Sequence, residues 1–270
     1  MAVKPADQRA LLDGDLDARE ESLYRLIDQV RDHGDESAAE VLRALVRDYP
    51  NYHRSLFSRA MNQAEVFGDA SLEEALLTAL ADRRYNCQAW AAMGCTALGF
   101  RSAVPGLLLL LDHPQWICRQ EAVKGLGWLG DETVVPALVP VLGDPTAGLP
   151  QEAAAALARI GGDAALTALW HEFQHRRSPR IGHVASALAL FGDEVLPRLI
   201  ETATDPDPNQ RYWAAVALGS TGNEAAVPTL ERLVATDTGR TVFDGVVGVA
   251  AKKALRTLRR IQASIAAREA

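Results

Sequence analysis

A glycine returns every 31 residues through the middle of this chain, at Gly68, Gly99, Gly130, Gly161 and Gly192, and Gly222 follows after 30. Prolines keep the same interval. Pro105, Pro136 and Pro228 stand six residues after a closing glycine and Pro197 five, while Thr167 fills the place in the repeat that lacks one. Asp112, Asp144, Asp205 and Asp237 recur about midway. A fixed period of about 20–50 residues marks a solenoid, because so small a unit cannot bury its apolar face alone and must stack on its neighbours.

Within each period the pattern is helical. Leu138, Val141 and Leu142 in one first half match Leu230, Leu233 and Val234 in another, at the i, i+3, i+4 spacing of one helix face. Proline falls near the start of that helix, where a missing N–H costs little. The second halves read RQEAVKGLGWLG (119–130), PQEAAAALARIG (150–161), IGHVASALALFG (181–192) and RYWAAVALGSTG (211–222). Counted back from the closing glycine, positions −8, −5, −4 and −1 carry the core. Small residues there allow close helix approach, and the glycine is expected to end the helix in a left-handed cap.

Units that close in A-x-x-A-L-x-x-hydrophobic-G, with proline early in the first helix, resemble HEAT repeats, in the short HEAT-like form of phycobiliprotein lyases. The resemblance implies an all-α, right-handed α-solenoid of about seven helix pairs. The expected divisions are an acidic segment and capping helix over 1–34 and a solenoid over 35–262, then a tail over 263–270. The solenoid units fall near 35–68, 69–99, 100–130, 131–161, 162–192, 193–222 and 223–262. A helix is expected from about Asp17 to Asp32. For function the resemblance is nearly silent, since such folds serve scaffolds, adaptors and a few enzymes.

The ends carry opposite charge: residues 1–40 hold 11 acidic and 5 basic side chains, and residues 240–270 hold 7 basic and 2 acidic. Lys252, Lys253, Arg256, Arg259 and Arg260 form a stripe along the last helix. The net charge of −7 counts against gripping nucleic-acid phosphates. The three cysteines, Cys87, Cys95 and Cys118, have no Cys-x-x-Cys spacing and suit a reducing cytoplasm. The longest greasy run, Leu107 to Leu111, is too short to span a bilayer, which takes about 20 apolar residues.

In solenoids of this type the second helix of each pair lines the concave surface, and its solvent face should hold positions −9, −6 and −2. Position −9 reads Trp90, Glu121, Glu152, His183 and Trp213; position −6 includes Lys124, and position −2 includes Trp128 and Arg159. Tyr212 stands beside Trp213. Aromatic and arginine side chains dominate binding hot spots, so these nine residues are the expected partner-binding set. Glu121 and Glu152 suggest a partner with a basic element. The bland alternative is that the tryptophans tuck over adjacent helices and cover core.

His171-Glu172-Phe173-Gln174-His175 spells H-E-x-x-H, the two-imidazole zinc signature with a glutamate base. The repeat register argues against it. Glu172 aligns with Val141 and Leu233, which would turn the carboxylate toward the core, and His175 falls in the last helical turn. A single His-Glu pair also falls short of the several that deoxyhypusine hydroxylase, a related fold, needs for its iron. The expected role is therefore a non-catalytic scaffold or adaptor binding a protein partner, with no catalytic residues, metal or cofactor. The alternative is a bilin-lyase-like or DNA-glycosylase-like enzyme using the same aromatic and acidic groove.

Overall fold

The computed structural model describes residues 11, 14–49, 54–83, 87–175, 181–241 and 245–269. Most of the expected acidic segment ahead of Asp15 and the last residue of the tail lie outside these. Among the described residues sixteen α-helices occur and no strand, only an isolated antiparallel bridge between Arg240 and Val246. The fold is an all-α solenoid. Its contacts cluster into two compact units, Met1–Asp131 and Glu132–Ala270.

The first unit runs α1 (Leu16–His33), α2 (Glu36–Arg47), α3 (Arg54–Met61), α4 (Ala64–Phe67), α5 (Glu73–Ala81), α6 (Gln88–Ala97), α7 (Val104–Leu110) and α8 (Trp116–Leu129). Capping explains the bounds of α1: the Asp15 carboxylate accepts from the Ala18 N–H at 2.9 Å, and Gly34 closes the helix at φ 61°. Helices α5 and α7 pack on α6 and α8 respectively, and α6 packs on α8. The buried Arg43 guanidinium ties α2 to the turn that follows α4. It donates to the Phe67 carbonyl at 3.0 Å and to Glu40 at 3.0 Å, and it pairs with Asp69 at 3.2 Å and with Glu36.

The second unit runs α9 (Val135–Leu138), α10 (Leu149–Ile160), α11 (Gly162–His175), α12 (Gly182–Ala189), α13 (Leu196–Thr202), α14 (Pro208–Thr221), α15 (Val227–Thr236) and α16 (Val247–Glu269). Helices α10, α12, α14 and α16 stack in sequence, and α11, α13 and α15 pack on α12, α14 and α16. Helix α16 continues through Glu269, beyond the boundary expected at 262, because Ala263 to Glu269 contain no helix breaker.

Proline decides how each first helix begins. Before Pro105, Pro136, Pro197 and Pro228 the chain makes a single 3₁₀ turn, and the α-helix starts with proline in its first turn. Where Thr167 replaces proline, α11 runs unbroken from Gly162. A second proline, Pro140, cuts α9 to four residues and leaves a 3₁₀ segment over Val139–Gly143.

The recurring aspartates make the turn between paired helices. Asp144 accepts from the Thr146 N–H at 2.7 Å, Asp205 from Asp207 at 2.7 Å and Asp237 from Gly239 at 2.9 Å. An arginine at position −11 locks two of these turns. Arg119 donates to the carbonyls of His113 and Pro114, and Arg211 to those of Asp205 and Pro206.

Positions −8, −5 and −4 are buried in α6, α8, α10, α12 and α14. Position −5 is kept small by the facing helix: a Cβ on Gly125 would lie 2.8 Å from the Leu107 Cδ1. Position −1 is only half-buried except at Leu129, and position −7 (Ala92, Val123, Ala154, Ala185, Ala215) is buried instead. Gly99, Gly161, Gly192 and Gly222 take positive φ, with Gly222 a left-handed cap, whereas Gly68 and Gly130 leave their helices extended, at φ −76° and −78°. At Gly68 the requirement is room, since a Cβ would sit 2.6 Å from the Leu98 Cδ2.

Candidate functional site

In the first unit the outward faces of α6 and α8 enclose a groove of about 640 Å³, lined by Met93, Ala97, Glu121, Lys124 and Trp128 among others, with Glu65 of α4 at its edge. It lies at positions −9, −6 and −2 because those side chains point away from the packed first helices. The Trp128 indole is 62% exposed at its mouth. Glu121, expected on the open face, is only 7% exposed, and its carboxylate accepts from the Lys124 Nζ at 3.0 Å one turn along the helix. The pairing offsets the cost of sheltering its charge. Glu65 is exposed and, among the described residues, has no ion-pair partner.

Trp90 lies elsewhere. Its half-buried ring borders a separate cleft of about 370 Å³ with Trp116 and Arg54, and the Arg54 guanidinium carbon stands 5.7 Å from the ring centroid. Glu65, Arg54 and Trp116 escaped the sequence reading. Trp116 carried a usable signal, as a large aromatic at the start of a second helix where no core position calls for one.

In the second unit Glu152 is half-buried and Arg159 exposed on α10, and Leu190, at the next −2 position, is 72% exposed. Tyr212 and Trp213 meet edge to face with centroids 5.0 Å apart. Trp213 tucks over the neighbouring helix: a Cβ built on Gly182 would come within 2.9 Å of its Cζ3. Among the described residues, its indole Nε1 and the Gln210 Oε1 are buried without hydrogen-bond partners. His183 is half-buried, and burial lowers its pKa, opposed by the nearby Glu172 charge.

The H-E-x-x-H segment follows the repeat register. Glu172 is 4% exposed and Phe173 is in the core, whereas the His171 and His175 rings stack on the exposed side 4.2 Å apart. The glutamate therefore faces away from the two imidazoles. Among the described residues no group of three or more His, Cys, Asp or Glu is placed to hold a metal ion. None of their helices is long and apolar enough to cross a membrane.

The HEAT-repeat family pattern matches residues 73–158 and 181–245, more than half of the chain. The chain is a HEAT-repeat protein. No curated protein matches it by sequence. Among solved structures it is similar to E. coli YibA, at 15% identity over 96% of this chain and 93% of that one, with a TM-score of 0.53. It is also similar to the complex of CpcE and CpcF of phycocyanin lyase from Nostoc sp. PCC7120 (21% identity, 96% of each chain, TM-score 0.41). Human deoxyhypusine hydroxylase in complex with glycerol matches at 20% identity over 94% of this chain and 95% of that one, with a TM-score of 0.39. At these identities the likeness bears on fold alone, and a HEAT solenoid hosts both binding proteins and enzymes.

Proposed function

We propose that this HEAT-repeat protein is a non-catalytic adaptor that holds a partner protein on the outward faces of its second helices, centred on the groove between α6 and α8. One observation carries the reading: the Trp128 indole stands 62% exposed over an open groove that also offers Met93 and the Glu121–Lys124 pair. Leaving so large an apolar surface in water is unfavourable, and tryptophan is the side chain most enriched at binding hot spots. The exposed Glu65 carboxylate at the rim favours a basic element on the partner. Glu152, Arg159 and His183, at matching positions of the second unit, are further candidate contacts, as are Tyr212 and Trp213. The net charge of −7 disfavours nucleic acid as the partner. Cys87, Cys95 and Cys118 are buried as thiols, which supports a reducing cytoplasm as the working compartment.

The test is a photo-crosslinking amino acid placed at position 128 in the native host, with position 109 on α7 as an exposed control. The adaptor reading expects one protein to crosslink from position 128 and not from position 109. The same protein, purified, should bind about tenfold or more weakly to Trp128→Ala. Charge reversal at Glu65→Arg should weaken it further. A small molecule or nothing at all recovered from position 128 would count against the adaptor.

A further inference from the structure

We infer that the N-terminal ends of α6 and α8 form a second docking site, opposite in charge to the groove, for an acidic peptide segment that carries a bulky apolar side chain. The cleft of about 370 Å³ is lined by Arg54, Trp90, Pro114, Gln115, Trp116 and Ile117, with Ala89 at its floor. Arg54 is the one charged residue among these. It opens α3, is exposed, and its guanidinium lies over the Trp90 ring at 5.7 Å. Among the described residues it has no carboxylate partner. Trp116, which opens α8, is 54% exposed.

This arrangement selects its ligand by chemistry. A guanidinium held over an indole by cation–π attraction still has N–H donors to offer, and those donors match a carboxylate two by two. A cationic ligand would meet Arg54 with like charge. A purely apolar ligand would cover Trp116 but strip water from the guanidinium without replacing it, which is costly. Only a ligand with an acid beside an apolar group satisfies both walls. Gln115, exposed at the rim, adds an amide that can hydrogen-bond a peptide backbone. None of these residues lines the Trp128 groove, so the inference stands or falls apart from the adaptor reading.

A random 12-residue peptide library displayed on phage, panned against the full chain, tests it. The enriched sequences should place Asp or Glu within two residues of Leu, Phe or Trp. The best of them, synthesised with a fluorescein label, should bind by anisotropy with an affinity that falls on adding salt. Arg54→Gln and Trp116→Ala should each weaken it about tenfold, and Arg54→Lys, which keeps charge but not the forked donors, should fall between. Trp128→Ala should leave it unchanged. Both cleft positions are exposed, and melting followed by circular dichroism verifies that each variant folds. If one does not, the other still decides. No enrichment of acidic sequences, or an acidic peptide whose affinity survives Arg54→Gln, would overturn the inference.

Discussion

Asp237→Asn should destabilise the second unit by about 2–3 kcal/mol at neutral pH while barely changing its shape. Asp237 receives the Arg211 Nε at 2.6 Å and Nη2 at 3.1 Å, and also the Gly239 N–H at 2.9 Å. The two side chains are only 18% and 9% exposed, so water screens the pair weakly. An asparagine keeps one acceptor oxygen and turns an amide donor toward the guanidinium. One charge-assisted bond is then lost and a second weakened, at about 1.5–3 kcal/mol for each such bond. The cost stays below the 3–5 kcal/mol or so of a fully orphaned buried charge, because Arg211 keeps the carbonyls of Asp205 and Pro206. The hydrogen bond from Arg211 holds the Asp237 carboxyl below its ordinary range. Its folded pKa is depressed, so the contribution is complete above the unfolded value of about 3.9 and is lost as pH falls through the folded pKa. Urea unfolding followed by circular dichroism, from pH 7 down to pH 2.5, reads this directly. Amide exchange over α14–α16 detects partial opening, which repeat arrays permit. Wild type and variant should differ at pH 7 and converge at the acid end. A gap under about 0.5 kcal/mol at pH 7, or one that persists at pH 2.5, would refute the reasoning.

Gly219→Ala should be among the most damaging single-methyl additions. A Cβ there would lie 2.6 Å from the Ala254 backbone, so α14 and α16 must separate, at a cost of about 1–3 kcal/mol or more in thermal or urea melts. Gly182→Ala should cost less, because the obstacle is the movable Trp213 ring at 2.9 Å, and its near-ultraviolet dichroism should change as that ring shifts. The thiols should resist Ellman's reagent at pH 8 in the folded protein and react on adding urea. All three are buried, and burial pushes the Cys95 thiol up to about 12. Finally, Glu172→Gln should lower the His183 pKa further in an NMR titration, since the Glu172 charge is the influence that opposes its burial. An upward shift would mean that the two residues are not coupled as described.

The repeat register was legible because it follows from geometry that every unit shares. Positions −8, −5 and −4 must meet the paired helix in each unit, so Ala122, Gly125 and Leu126 and their counterparts are buried as their spacing predicts. The register also fixed Glu172 as inward-facing, against the pull of a familiar motif. Position −7 was missed for a physical reason. A second helix in a solenoid is flanked by its predecessor and its successor as well as by its own partner, so its buried arc is wider than the stripe of a helix packed on one side. The same widening explains Glu121. At about 100° per residue, position −9 stands only about 40° from position −5 and falls at the edge of that arc, whereas Trp128, Arg159 and Leu190 at position −2 are exposed.

That division of labour locates where specificity resides. Repeat packing leaves positions −8, −7, −5 and −4 little choice beyond small and aliphatic residues. It places no demand on position −2, or on the exposed first residue of α8. Residues there are set either by chance solvation or by what they bind, and large aromatics are poor choices for mere solvation. Trp128 at position −2 and Trp116 in the first turn of the same helix are such residues, at opposite ends of α8, one beside the exposed carboxylate of Glu65 and the other beside the exposed guanidinium of Arg54. If α8 presents two binding ends, exchanging Trp128 should disturb only a basic partner and exchanging Trp116 only an acidic one. Competition binding with one ligand saturating distinguishes this from a single shared site. Independent affinities support two ends, and mutual displacement would show that one partner occupies both.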